Sequence, residues 1–199
     1  NYEKAANIRD KIRSLERANQ VFLNEFNNIE EADIFCISKL NKFIAIEVIF
    51  CRNGQNYGSN THFLKAKIED NLKEILQKFI VQFYNTQNIP KKIIVSNDIS
   101  EKKLIENAFY LKTNLKVSIS LPTKANTMEV VEKGKKRAEA NLAKKLAELE
   151  KAKNLLDKLK TKFNFSQTIN TIEVYDNSHF SGKEAVGSFI VAGKEGFLK

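Results

Sequence analysis

The spacing of hydrophobic residues changes period repeatedly along this chain, and each change predicts an element. Over residues 2–18, Ala5, Ile8, Ile12 and Leu15 recur at steps of three and four with charged residues between them, the spacing of one face of an amphipathic helix. Such a helix is marginal alone in water, so its stripe calls for a second helix, in this chain or another. The polar stretch 24–31 reads as a linker. Strand candidates follow at 33–38, 43–51 and, more weakly, 61–66, and the Gly- and Asn-rich stretch 51–60 reads as a tight turn and loop around Gly54 and Gly58. Leu72, Ile75, Leu76, Phe79, Ile80 and Phe83 mark a helix over 69–84 with a wide buried stripe. A short strand at 92–96 comes next, then a helix begun by Ser100 with Leu104, Ile105, Ala108 and Phe109 inward, then a strand at 117–121 stopped by Pro122. Strands alternating with helices imply parallel pairing in that half.

One long helix is predicted over about 127–163. Asn126 is placed to cap it, and Glu129 three residues on completes a capping box. Met128, Val131, Ala138, Leu142, Leu146, Leu149, Ala152, Leu156, Leu159 and Phe163 step mostly by three and four, and at 1.5 Å per residue the helix is roughly 55 Å long. Gly134 within it costs about 1 kcal/mol relative to alanine and reads as a bend. Beyond it, Ile172 and Val174 alternate with Glu173 and Tyr175, the period of a strand.

Composition narrows the class. With 42% hydrophobic and 29% charged residues in 199, there is material for one ordinary core with smaller attachments. No run approaches the length that spans a bilayer and no signal-peptide pattern is present, so no membrane partner is expected and the expected compartment is the cytoplasm. Cys36 and Cys51 fall in apolar strand-like runs without zinc-site spacing and read as buried free thiols. The chain starts inside a helical pattern and stops as a strand begins, and so reads as a piece of a longer protein. Its net charge of +9 calls for an anionic partner, nucleic acid before membrane. Residues 126–163 alone carry eleven basic against six acidic side chains. Two readings fit that segment: lysines that merely solvate a helix, or a row including Lys133, Lys135, Lys136 and Arg137 that faces phosphate.

Candidate chemistry concentrates at 172–182, IEVYDNSHFSG. Asp176 falls on the strand face of Ile172 and Val174, aimed inward, where a carboxylate needs a cation, a donor or a metal. Alternatively Asp176, Asn177 and Ser178 open a turn. His179 beside them reads as a surface or hydrogen-bonding residue.

A hydrophobic strand followed by Asp176, Asn177, Ser178, His179 and Gly182 resembles the start of the C-terminal endonuclease domain of the UvrC family, incision subunits of bacterial nucleotide excision repair. Residues 185–197 resemble the second strand and turn of that domain. Tyr2, Glu3, Lys4, Ala5 and Ala6 with Ile8, Arg9 and Asp10 resemble the second half of a UVR motif, and Arg52, Gly54, Tyr57 and Gly58 match an Arg-x-Gly-x-x-Tyr-Gly of the family.

The resemblance implies an α/β chain with a ribonuclease H-like mixed sheet, and the element order agrees. It implies a partial UVR helix at 1–20, a middle ribonuclease H-like domain at 21–125, a long basic helix at 126–165 and the start of the endonuclease domain at 166–199. It implies a metal-dependent DNA endonuclease in which Asp176 is one of several carboxylates on Mg²⁺ or Mn²⁺. The implied partners are damaged double-stranded DNA and UvrB, the latter through Tyr2, Ala5, Ile8, Arg9, Ile12 and Leu15. Arg52 either holds a phosphate or belongs to a plain hairpin turn. One carboxylate does not make a two-metal site, so the chain alone is expected not to cleave. The alternative is a non-catalytic module that binds DNA or UvrB.

A short internal match supports a division of labour. Setting 32–39 under 172–179 places Ser38 opposite Ser178 and Cys36 opposite Asp176. The middle domain then reads as a degenerate copy, with a thiol where the metal-binding carboxylate stands.

Overall fold

Strands β1 (Glu31–Leu40), β2 (Phe43–Arg52) and β3 (Gln55–Lys65) form an antiparallel meander. They belong to a computed structural model that describes residues 8–9, 29–67, 69–180, 183–193 and 196–198. The chain divides into two units, 1–142 and 143–199. In the first, the meander is followed by α1 (Leu72–Phe83), β4 (Lys92–Val95), α2 (Lys102–Thr113), β5 (Ser118–Ser120) and α3 (Ala125–Lys162), which runs on past the unit boundary. The sheet order is β3-β2-β1-β4-β5, with β4 parallel to both β1 and β5. This mixed α/β arrangement is consistent with a ribonuclease H-like fold.

Why β1 and β2 are apolar almost continuously follows from this layering: helices cover both faces of the sheet, so inward and outward positions alike are buried. On one face, Phe35, Ile37, Ile46, Val48, Ile93 and Val95 pack with Leu76 and Ile80 of α1 and Ile105 and Phe109 of α2. On the other, Ile34, Cys36, Ile49 and Ile94 pack with Val130 and Val131 of α3. Each fully buried isoleucine here contributes about 2 kcal/mol over an exposed one, which makes the paired faces the main source of stability.

The stretch 51–60 is mostly strand, not loop. Asn53 and Gly54 have φ of 52° and 71°, the two positive values a tight primed hairpin turn needs, and β3 starts at once at Gln55. The irregularity is a bulge: Phe50 faces Gly58 and Cys51 faces Asn56, which leaves Tyr57 extra and 78% exposed.

Three helix details differ from expectation. In α2 only Ile105 and Phe109 are buried, while Leu104 and Ala108 are exposed, because this helix lies beside the three-residue edge strand β5 and meets too little sheet to cover a wide stripe. Its first turn is not capped by Ser100; the N-cap is Glu101, whose N–H donates to Gln77 Oε1 at 3.1 Å. The long helix starts at Ala125, with the Lys124 carbonyl accepting from Met128 N–H, so Asn126 lies inside the first turn rather than at the cap. Thr127, Val130, Val131, Ala138 and Leu142 face inward and Met128 is half exposed. At the far end Asn164 takes φ 52° and Phe165 N–H reaches Lys160 O, a helix-ending motif that a left-handed asparagine favours.

His62 on β3 shows how the aromatic face responds to acid. Its ring lies 5.1 Å from Phe79 and 5.8 Å from Phe83, and Nε2 is buried with no hydrogen-bond partner. Burial lowers its pKa below 6.5, with the Glu47 carboxylate pulling the other way. A depressed folded-state value means that the stability it carries is complete above 6.5 and is lost as pH falls through the lowered pKa. Thermal melts between about pH 7 and pH 5 should therefore fall less steeply for His62→Phe than for the native chain; parallel curves would contradict this.

In the second unit, β6 (Thr171–Phe180) pairs antiparallel with β7 (Lys183–Gly193), and β7 with β8 (Gly196–Leu198). It repeats the opening motif of the first unit: a ten-residue strand, a two-residue connection and an antiparallel return.

Candidate functional site

Asp176 stands in the middle of β6, and the strand continues through Asn177 and Ser178 to Phe180, so these residues do not open a turn. It faces Ser188 across the β6–β7 ladder. It shares a strand side with Ile172 and Val174, as the alternation requires. The expected burial is not found: Val174 is 52% exposed and Asp176 is exposed, because no described element lies over that side of the hairpin. Beside it, the position of Gly187 admits no side chain without movement, since an added Cβ would lie 2.9 Å from Asn177 Oδ1. On the opposite side Tyr175 O–H donates to Glu173 Oε2 at 2.5 Å, which raises the phenol pKa. Gly182 and the side chain of His179 lie outside the described residues.

A divalent metal needs several hard oxygens around it. Asp176 offers one carboxylate, and among the described residues no three His, Cys, Asp or Glu side chains come together to hold a metal. The described residues therefore supply one ligand of the right chemistry and not a complete metal site.

Two carboxylates that sequence reasoning passed over are deeply buried in the first unit. Asp33 is 1% exposed; its Oδ1 accepts from Arg52 Nη1 at 2.7 Å and its Oδ2 from Tyr84 O–H at 2.8 Å. Burial raises the Asp33 pKa, opposed by the bonds from Arg52 and Tyr84. Burial likewise raises that of Tyr84. Glu47, also 1% exposed, faces Cys36 across the β1–β2 ladder and accepts from Thr61 O–H, with Arg137 Nη1 3.5 Å away. The available signal was a lone acidic residue inside each of the runs ADIFCI and FIAIEVIF.

These carboxylates lie beside two of the arginines named as phosphate contacts. Arg52 turns Nη1 inward to Asp33 and to the carbonyls of Ala32 and Cys51, and its guanidinium lies over the Phe50 ring, beside a tight hairpin turn. Arg137 is directed to Glu47 and Ser59. Of the remaining row, Lys136 is exposed, Lys133 pairs with Glu129 at 3.0 Å one turn back, and Lys135 is half-buried. Among the UvrB-contact candidates, Ile8 and Arg9 are helical and exposed; Tyr2, Ala5, Ile12 and Leu15 lie outside the described residues.

Both cysteines are buried and free, as expected. Burial pushes the Cys36 thiol up to about 12 and the Cys51 thiol up to about 11, and each S–H points to a carbonyl, Val131 O and Ile29 O. Neither is a nucleophile at neutral pH. No helix among the described residues is long and apolar enough to cross a membrane.

Two family models match parts of the chain. Residues 31–145 match the family model described as the UvrC Ribonuclease H-like domain, and residues 160–199 match that of the UvrC RNAse H endonuclease domain. Proteins named UvrABC system protein C are similar along the whole chain: 36% identical over 198 residues in Hyphomonas neptunium, 39% over 198 in Bartonella henselae and 37% over 199 in Bradyrhizobium diazoefficiens. The chain spans 29 to 32% of the length of these three relatives. With more than half of its residues under one family model and a sheet of the order that model's name implies, the chain belongs to the UvrC family, in its ribonuclease H-like region.

Proposed function

We propose that this chain works in nucleotide excision repair in the cytoplasm as part of a UvrC incision subunit, which hydrolyses DNA phosphodiester bonds beside a lesion in complex with UvrB. Asp176 is its contribution to the chemistry: one oxygen ligand of a divalent cation, Mg²⁺ or Mn²⁺, that activates water and steadies the leaving oxygen when the site is complete. The observation that carries this reading is the place of Asp176 inside the segment matched to the endonuclease domain, on a hairpin built like that of the first unit. The first unit is a non-catalytic copy, because the rung equivalent to Asp176 carries a protonated thiol.

A second reading, a module that binds DNA or UvrB without cutting, is favoured by the finding that, among the described residues, Asp176 has no companion ligands gathered around it to hold a metal. Plasmid nicking separates the two. The full incision subunit reconstituted with UvrB should cut lesion-bearing duplex in Mg²⁺ and lose that cutting with Asp176→Asn, while the 199-residue chain alone should leave supercoiled plasmid intact. Retained incision by the Asp176→Asn subunit would sink the assignment.

Phosphate contact is tested by salt. If Lys133 and Lys136 each meet a phosphate, replacing both with alanine should make the plot of log affinity against log salt shallower by about 2. An unchanged slope would return this row to the role of a solvated helix face.

A further inference from the structure

The edge strand β3 carries a ring that the chemistry of Asp176 does not use. Tyr57 is the extra residue of the β2–β3 bulge, and most of its side chain is open to solvent. A bulge re-aims a side chain, but it sets no requirement for an aromatic one. The sequence around it is also free of negative charge. Between Glu47 and Glu69 there is no acidic residue, while Gln55, Asn56, Ser59, Asn60 and Thr61 line the strand with amides and hydroxyls.

The long helix brings positive charge to the same end of β3. Arg137 Nη1 donates to Ser59 Oγ at 2.9 Å and Asn141 Nδ2 donates to Thr61 Oγ1 at 2.8 Å, so α3 and β3 run in the same direction here. Four helix residues advance about 6 Å and two strand residues about 6.6 Å, so the two elements keep step. One turn before Arg137 comes Lys133, which therefore falls level with position 57. Lys136 is its neighbour on the helix surface, and both are exposed. Glu129 pairs with Lys133 at 3.0 Å, yet residues 133–137 hold four basic side chains and no acidic one.

We propose that Tyr57 and this turn of α3 form a contact for single-stranded DNA, in which an unpaired base stacks on the Tyr57 ring and Lys133 and Lys136 hold the phosphates beside it. An exposed ring next to a basic track is what sequence-tolerant binding of a single strand requires, because every base has a π face. Paired bases are stacked on one another and offer no free face to the ring, so the contact selects an opened strand over an intact duplex. Arg137 serves as the anchor, holding the helix turn in register with the bulge through Ser59 and Glu47. The inference rests on reading the chain as directed to DNA, and it involves neither Asp176 nor a metal.

The test is fluorescence anisotropy of labelled DNA titrated with the whole 199-residue chain in EDTA. The probes are an oligo-thymidine of about 20 nucleotides, an abasic strand of the same length and the matching duplex. Tyr57→Ala should weaken oligo-thymidine binding roughly tenfold, Tyr57→Phe should stay within about twofold of native, and the native chain should bind the abasic strand about as weakly as Tyr57→Ala binds oligo-thymidine. Duplex affinity and the slope of log affinity against log salt should not change in Tyr57→Ala, whereas Lys133→Ala with Lys136→Ala should flatten that slope. The proposal is overturned if Tyr57→Ala binds oligo-thymidine as tightly as native, if Tyr57→Phe loses as much as Tyr57→Ala, if the abasic strand binds as well as oligo-thymidine, or if the lysine pair leaves the slope unchanged. Binding of duplex alone defeats the stacking contact only; binding of neither strand defeats the DNA-directed reading with it. Cutting does not enter this readout, so the Asp176 assignment stands or falls separately.

Discussion

Replacing Asp33 by alanine is expected to destabilise the first unit by about 3 kcal/mol, because breaking a buried charge pair leaves the remaining partner uncompensated. Asp33 joins two elements that are distant in sequence: Arg52 at the end of β2 and Tyr84 at the end of α1. Arg52 retains carbonyl partners at Ala32 and Cys51 and about a third of its side chain faces solvent, which keeps the cost near the lower end of the range for such pairs. Tyr84→Phe removes one hydrogen bond and should cost only about 1 kcal/mol. Asp33→Asn should fall between the two, and its cost should depend on pH. Burial holds the folded-state pKa of Asp33 above 3.8, so the native carboxyl contributes most below 3.8 and loses that contribution as pH rises through the raised value. The gap between native and Asp33→Asn proteins should accordingly widen as the pH is lowered. Urea midpoints at two pH values check both statements; a gap that narrows toward acid would refute the assigned direction.

The two buried acids also show what the chain discloses and what it withholds. β1, β2 and α1 were legible because helices cover both sheet faces and leave long unbroken runs of aliphatic and aromatic residues. The β2–β3 connection was misjudged because Asn and Gly mark any turn, and only pairing reveals that Asn53 and Gly54 suffice while Gly58 serves a bulge. For Arg52 and Arg137 the sequence left a phosphate contact and a plain structural role both open, because the partner of a guanidinium is set by which carboxylate the fold brings beside it. Asp33 and Glu47 stand 19 and 90 residues from the arginines they hold. For Asp176 the strand and its alternation were readable, but its solvent exposure was not, since exposure depends on what covers a face and not on the period within it.

Gly134→Ala decides between two roles for the glycine in the long helix. A glycine that merely permits a bend should be improved by alanine, by about 1 kcal/mol. The structure places it instead where α3 lies closest to the sheet: a Cβ there would meet Cys36 Sγ at 2.5 Å, Ile49 Cδ1 at 3.0 Å and Cys36 Cβ at 3.2 Å. Those neighbours are themselves fully or nearly buried in the cluster that seats Val130 and Val131, so they have little room to yield. Overpacking of this kind costs about 1–3 kcal/mol. Set against the helix-propensity gain, Gly134→Ala should be destabilising by up to about 2 kcal/mol, and Gly134→Val by more, since its two further methyls meet the same wall. The contact predicts its own rescue. Cys36→Ala removes the atom at 2.5 Å, so Gly134→Ala should cost at least about 1 kcal/mol less in that background than in the native one, a coupling that residues in direct contact show and distant ones do not. A double-mutant cycle from urea unfolding measures it. Additive costs, or a gain in stability on Gly134→Ala alone, would mean that α3 is not held against β1 and β2 at this point.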